Sequence, residues 1–274
     1  MRHPPVSYRP DRAPNGCARS IQHSPRVEGP LDIRDGMQRS LIEMHIHTNP
    51  TSSDSMLDPA DLLKIAKEIG LTGVNLTEHD KVLESHQQRA MRDQFPGQFI
   101  NFGMEVSTDM GHMLAIGLTT YLPGIRRAAK LREELDKIGG FLIVAHPFRR
   151  LFDPVTAMRT GEKFELSPAE AAERMPVFKL VHAIEVGNGS NTPEENYFAL
   201  EVARILGLPG TGGSDGHSTS GIGTFATGLE NVVDTPESFL EELHAGRFEA
   251  VHKTRGGRWI ALSPGSIEAA QQPD

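Results

Sequence analysis

A histidine pair at the end of a strand constrains this chain most. Leu41, Ile42, Met44 and Ile46 mark a strand from Leu41 to His47. Successive side chains on a strand face opposite ways, so His45 and His47 share a face and can reach one metal ion. The strand gives way to Thr48-Asn49-Pro50-Thr51-Ser52-Ser53-Asp54, turn material that ends in a carboxylate. Two imidazoles at a strand end, followed by a polar loop with an acid, describe a metal site at the mouth of a barrel.

The pattern recurs along the chain. Leu71 to Thr77 is apolar and β-branched and ends in Glu78-His79-Asp80. Phe99 to Glu105 is a third strand closing on a carboxylate, and Gly111 to Leu118 a fourth beginning with His112. Phe141 to Ala145 is a continuous apolar run, as in a strand buried on both faces, and leads into His146-Pro147-Phe148-Arg149. Val181 to Val186 is a further strand, and Leu208 to Gly213 leads into Ser214-Asp215-Gly216-His217. Between them the spacing predicts helices. Asp58-Pro59 caps one that stops at Gly70; others cover 84–95, 126–138, a short stretch after Ser167, 192–206 with Pro193 in its first turn, and 236–244. Residues 151–166 lack a period and read as an insertion loop; a short strand follows near 248–252. Strands alternating with helices predict an α/β protein with a mainly parallel sheet. Polar residues gathered at strand ends favour a barrel, whose active groups collect on that face.

Size and charge narrow the function classes. The 274 residues suffice for one large domain. Lys and Arg number 28 against 36 Asp and Glu, a net charge of −8 that disfavours a long nucleic-acid partner. Cys17 is the single cysteine, which excludes a disulfide framework and a cysteine-rich zinc site. No apolar run approaches the ~18 residues of a membrane span, and the start lacks a signal-peptide core; the expectation is a cytoplasmic protein with no membrane partner. Residues 1–36, rich in Pro and Arg, read as a disordered extension before one folded domain over 37–262 and a flexible tail over 263–274.

The strand-end residues form one donor set: His45, His47, Asp54, His79, Glu105, His112, His146, Asp215 and His217. Imidazoles and carboxylates without thiolate suit Zn²⁺, Mn²⁺ or Fe²⁺. The set exceeds the needs of one tetrahedral ion. Glu185 and Asn188 read as supporting groups, His182 as a satisfied barrel histidine, His86, His244 and His252 as surface residues, and Ser214 as part of a turn.

These motifs resemble a known family. His45-Ile46-His47-Thr48 with Ser53-Asp54, Leu76-Thr77-Glu78-His79-Asp80, Gly103-Met104-Glu105, Gly111-His112, Ala145-His146-Pro147 and Gly213-Ser214-Asp215-Gly216-His217 are similar, in order and combination, to those of the PHP (polymerase and histidinol phosphatase) superfamily. The resemblance runs from about Ile42 to His217, with looser similarity to about residue 255. Glu43 and Glu78 stand where Asp is more usual and are expected to support ligands. The resemblance implies a distorted seven-stranded (β/α)7 TIM-like barrel with two to three divalent ions. One would be held by His45, His47, Glu105 and Asp215. Glu105, His112 and His146 would hold a second, with Glu105 as bridge, and Asp54, His79 and His217 a third. It implies hydrolysis of a small-molecule phosphate ester, a nucleotide or sugar phosphate, by hydroxide generated on the ions. The family's hydrolases of non-phosphate esters or carbamates are the competing reading, and a non-catalytic metal-binding domain is a third. Arg149, three residues after His146, is the expected phosphate-binding residue, since Pro147 keeps it near the mouth.

Overall fold

The computed structural model describes residues 40–271 apart from 154, 156, 157, 160 and 162, with backbone alone for 268–271. The expected N-terminal extension, 1–36, lies outside the described residues. The strand-helix alternation that the sequence indicates is present, with additional elements after residue 213. It runs β1 (Ser40–Ile46), α1 (Pro59–Glu68), β2 (Gly73–His79), α2 (Ser85–Gln94), β3 (Phe99–Thr108), β4 (Gly111–Ile116), α3 (Ala128–Ile138), β5 (Phe141–Val144) and α4 (Pro168–Arg174). It continues with β6 (Ala183–Asn188), α5 (Pro193–Leu206), β7 (Gly210–Gly213), β8 (Phe225–Leu229), α6 (Pro236–His244), β9 (Phe248–Lys253), β10 (Trp259–Ala261) and α7 (Pro264–Gln271).

Local chemistry explains the helix starts. Asp58 accepts a hydrogen bond from Ala60 N at 2.8 Å, Pro59 pre-sets the first turn, and Leu62, Leu63 and Ala66 face the core. Ser167 with Glu170 and Thr192 with Glu195 form reciprocal capping boxes at α4 and α5, again with Pro in the first turn. Gly139 and Gly207 end α3 and α5 in left-handed conformation. No helix among the described residues is long and apolar enough to cross a membrane.

All ten strands join one curled sheet in the order β10-β9-β8-β1-β2-β3-β4-β5-β6-β7. The expected seven strands and mainly parallel pairing need correction. β1-β2, β2-β3, β5-β6 and β6-β7 are parallel; the other five pairings are antiparallel. β3 and β4 are joined by Asp109 and Met110 alone, and so short a link can only reverse the chain. Thr108 Oγ1 donates to Gly111 O at 2.6 Å across that turn. The unanticipated β8 reads Phe-Ala-Thr-Gly-Leu, too poor in large apolar residues to stand out in a glycine-rich stretch. It pairs with Ser40–Ile42 at the start of β1 and supports β7 from the side, where Gly212 lies so close that a Cβ would sit 2.5 Å from Ala226 O.

Two further expectations fail. Residues 264–271 form α7 and bury Ile267, so 263–274 is not wholly a flexible tail; a single apolar anchor is weak signal in sequence. His252 is buried, because β9 is covered on both faces and His252 pairs with Phe225 and Ile260 of the flanking strands.

At the mouth, the end of β1 meets the segment after β7. Asp215 N donates to His45 O at 2.7 Å, and His47 N to Gly216 O at 3.2 Å. Residues far apart in sequence thus share one rim.

Candidate metal centre

β1 delivers His45 and, just past its end, His47 to the same rim; both are fully buried. Their Nε2 atoms stand 3.1 Å apart. β3 brings Glu105 from across the mouth, and the segment after β7 brings Asp215. His45 Nε2 lies 3.5 Å from both Glu105 Oε1 and Asp215 Oδ1; His47 Nε2 lies 3.2 Å from Glu105 Oε2 and from Asp215 Oδ1. This approach depends on Gly213, where a Cβ would stand 2.7 Å from that of His45. On one side Glu105 Oε1 faces His112 Nδ1 at 2.8 Å and His146 Nε2 at 3.1 Å. On the other, Asp54 Oδ2 lies 3.1 Å from His79 Nε2 and 3.4 Å from His217 Nε2. The rings of His79 and His217 flank that of His47, with centroids 4.2 and 4.5 Å away. All nine residues expected to be donors converge here, Asp54 and His112 being the most exposed.

The backbone is bent to achieve this. Among the described residues, those other than glycine with left-handed φ are Asp80 (49°), His146 (29°), Arg150 (61°) and Asp215 (48°). Each adjoins or belongs to the donor set or its arginine neighbour. Such conformations cost about 1–3 kcal/mol apiece and persist where surroundings impose them.

Supporting groups fix the rings. Glu185 Oε1 sits 3.0 Å from His45 Nδ1, which turns Nε2 toward the cluster. Its Oε2 accepts from His146 N at 2.8 Å and Asn188 Nδ2 at 2.9 Å, in line with the supporting role expected for Glu185 and Asn188. Glu78 accepts from Thr48 N and from the Thr48 and Ser52 hydroxyls, and so pins the loop after β1. Glu43 accepts from His45 N and Ser214 N beneath the cluster. Burial pushes Glu43 up to about 7 despite those bonds. Burial also opposes charge on His45, yet Asp215, Glu185 and Glu105 together hold its imidazole well above the usual range. Glu105 is held well below the carboxylate range by His45, His112 and His146, against its own burial.

Arg149 reaches the rim as expected, but it is already engaged. Nη2 pairs with Asp215 Oδ2 and donates to Asn188 Oδ1 at 2.8 Å; Nε donates to Asn191 Oδ1 at 2.9 Å. Asn191, Asn196 and Glu195, on and just before the first turn of α5, complete this network and carry no site signal in the sequence. The capping pattern from Thr192 to Glu195 is visible there; its link to Arg149 and Arg150 is not.

Comparison with known proteins bears on the fold. The sequence model of the PHP-associated family matches residues 193–248. A two-domain Bacteroides vulgatus protein, described as "containing predicted PHP-like metal-dependent phosphoesterase", superposes with a TM-score of 0.51 at 20% identity, over 80% of this chain and 67% of that one. That description names the superfamily whose motifs this chain resembles. Other relatives carry the same fold or part of the sequence. PsfC from Pseudomonas syringae superposes with a TM-score of 0.54 at 19% identity, covering 85% of this chain and 97% of its own. An uncharacterized Methanocaldococcus jannaschii protein is 25% identical over 115 residues, 39% of this chain and 67% of its own length.

The donor set fits resident metal ions. Atoms bound to one tetrahedral ion at roughly 2.1 Å stand about 3.4 Å from one another. His45 Nε2, His47 Nε2 and Asp215 Oδ1 stand 3.1–3.5 Å from one another, and the two imidazoles lie 3.5 and 3.2 Å from different oxygens of Glu105. Sets such as Glu105, His112 and His146, or His47, His79 and His217, are also close enough to share an ion.

Proposed function

We propose that this protein is a metal-dependent phosphoesterase acting on a small-molecule phosphate ester, a nucleotide or sugar phosphate. The observation that carries the reading is the spacing of His45, His47 and Asp215, close to that of donors on one ion, with Glu105 facing both imidazoles and reaching a second donor set. His45, His47, Glu105 and Asp215 would hold one ion, Glu105, His112 and His146 a second, and Asp54, His79 and His217 a third. Two to three Zn²⁺, Mn²⁺ or Fe²⁺ ions suit such nitrogen and oxygen donors. When bound, such ions acidify water and neutralise charge growing on a phosphoryl oxygen. The chain's own residues orient the rest. Glu185 fixes the His45 tautomer, Glu78 holds the loop that carries Asp54, and Arg149 places positive charge beside Asp215, where a phosphoryl group would approach.

The test uses full-length protein reconstituted with each metal, assayed on chromogenic phosphomonoester, phosphodiester and carboxyl ester substrates. We expect two to three ions per chain by elemental analysis and preferred cleavage of a phosphoester. Preference for carboxyl esters would move the assignment to an ester or carbamate hydrolase. Turnover of none with a filled centre would leave a metal-binding domain.

A further inference from the structure

Two cavities adjoin the rim, and Arg149 and Arg150 line both. The smaller, about 400 Å³, reaches His112 and His146 of the donor set. The larger, about 930 Å³, lies beyond the arginines and is walled by Phe152, Pro193, Tyr197 and Ile267. Its size is that of a pocket for a small molecule. Arg149 is committed to Asp215, Asn188 and Asn191, whereas the Arg150 side chain is exposed at the junction. Arg150 holds its place through its backbone. Its φ is 61°, and its N–H donates to Oε1 of buried Glu195, whose Oε2 accepts from Thr192 N at 2.9 Å. A strained exposed arginine, anchored by a buried carboxylate between two cavities, is placed to read what spans them.

We propose that Arg150 determines substrate specificity by binding an anionic substituent on the leaving group, whose apolar or ring-bearing body lies along Phe152 and Tyr197 in the larger cavity. Glu195 is its positioning residue. Three acids line the larger cavity as well: Glu195 is turned onto the Arg150 and Thr192 N–H groups, Asp153 accepts from Val155 N at 3.0 Å, and Glu194 is exposed, so the anionic substituent belongs at the Arg150 junction and only the uncharged body enters the larger cavity. The inference rests on the phosphoesterase reading for which end of the substrate faces the ions.

The experiment measures binding by calorimetry to metal-replete, full-length protein. The probes are phenylphosphonate and its para-carboxylated analogue, which present the same head with and without a remote charge. Wild type should bind the carboxylated probe about tenfold more tightly, the scale of one charge-assisted hydrogen bond. Arg150→Met should abolish that preference and leave phenylphosphonate affinity and metal content unchanged. Glu195→Ala should lose it as well, and Glu195→Gln, which keeps the acceptor, should restore it. A wild type indifferent to the added carboxylate, or an Arg150→Met protein that retains the preference, overturns the assignment. A wild type that cleaves carboxyl esters and not phosphomonoesters sinks the phosphoesterase reading alone. Arg150 is then judged by the same criterion, with Michaelis constants for phenyl acetate and its para-carboxylated analogue in place of the binding constants.

Discussion

Glu105 is the residue on which the centre turns. Its two oxygens face His45, His47, His79, His112 and His146, so neutralising it disturbs more than one donor set. Glu105→Gln should lose more than one ion per chain by elemental analysis; retention of all ions would remove Glu105 from the bridge. Arg149 makes a second case. Arg149→Met should lower kcat/KM for a phosphomonoester by about ten- to a hundredfold, the worth of a charge-assisted hydrogen bond, and spare a neutral ester. Metal content should hold; if it falls with activity, the arginine serves to orient Asp215 and is not the phosphate contact. The residues that converge at the rim were legible because histidine and acid at strand ends are rare and directional in a sequence. Their supports were less so. Glu195 acts through a contact to Arg150, forty-five positions away, which no local pattern announces.

At the scale of elements, caps and strand ends carried most of the legible signal, and short strands of small residues hid. Phe141–Val144 is recognisable because every side chain is apolar and buried; Phe225–Leu229 escapes because Ala226, Thr227 and Gly228 suit a loop as well. The base of the sheet carries its own titration. His182 precedes β6 and accepts from Leu142 N at 2.9 Å, as a satisfied histidine of the barrel should. Burial pushes it down to about 4; Arg132 and His244 act in the same direction, and Asp136 opposes them. Between roughly pH 6.5 and pH 4 the unfolded chain therefore takes a proton that the folded chain refuses. Stability falls as pH falls through that window, by about 1–2 kcal/mol at pH 5 relative to neutral pH once solvent screening at this half-buried ring is allowed for. His182→Asn offers an oxygen to Leu142 N and does not titrate. Urea unfolding at pH 7 and pH 5 should show the variant losing about 1–2 kcal/mol less than wild type. Equal losses would mean that His182 protonates freely in the folded state. Taking the difference between the two proteins cancels the pH response of the metal centre.

The whole molecule unites β1, β2, β3, β4, β5 and β7 around one rim, so metal binding and global folding are linked. Ions that bind only the folded chain, at a hundredfold excess over Kd, add about 2.7 kcal/mol each. For a domain of this size that is about 5–10 °C per ion. Chelation should lower Tm by at least that much, and readdition should recover it; an unchanged Tm would place the ions outside the fold's cooperative unit. The α/β class was readable from the alternation of periods. The hairpin at β3-β4 and the β8-β9-β10 meander were not, because pairing direction is decided by link length and by long-range contacts that periodicity does not encode.

The left-handed backbone at Asp80, His146, Arg150 and Asp215 has a consequence for how such a protein can change. At each position glycine would be the residue most at ease, and at each a side chain is kept that makes or borders the site. Selection for heat tolerance alone and selection for chemistry therefore pull these four codons in opposite directions. A lineage released from its substrate should accumulate glycine there first, while the barrel around them stays recognisable. The rim would lose its reactivity by becoming more comfortable, well before the fold recorded any loss.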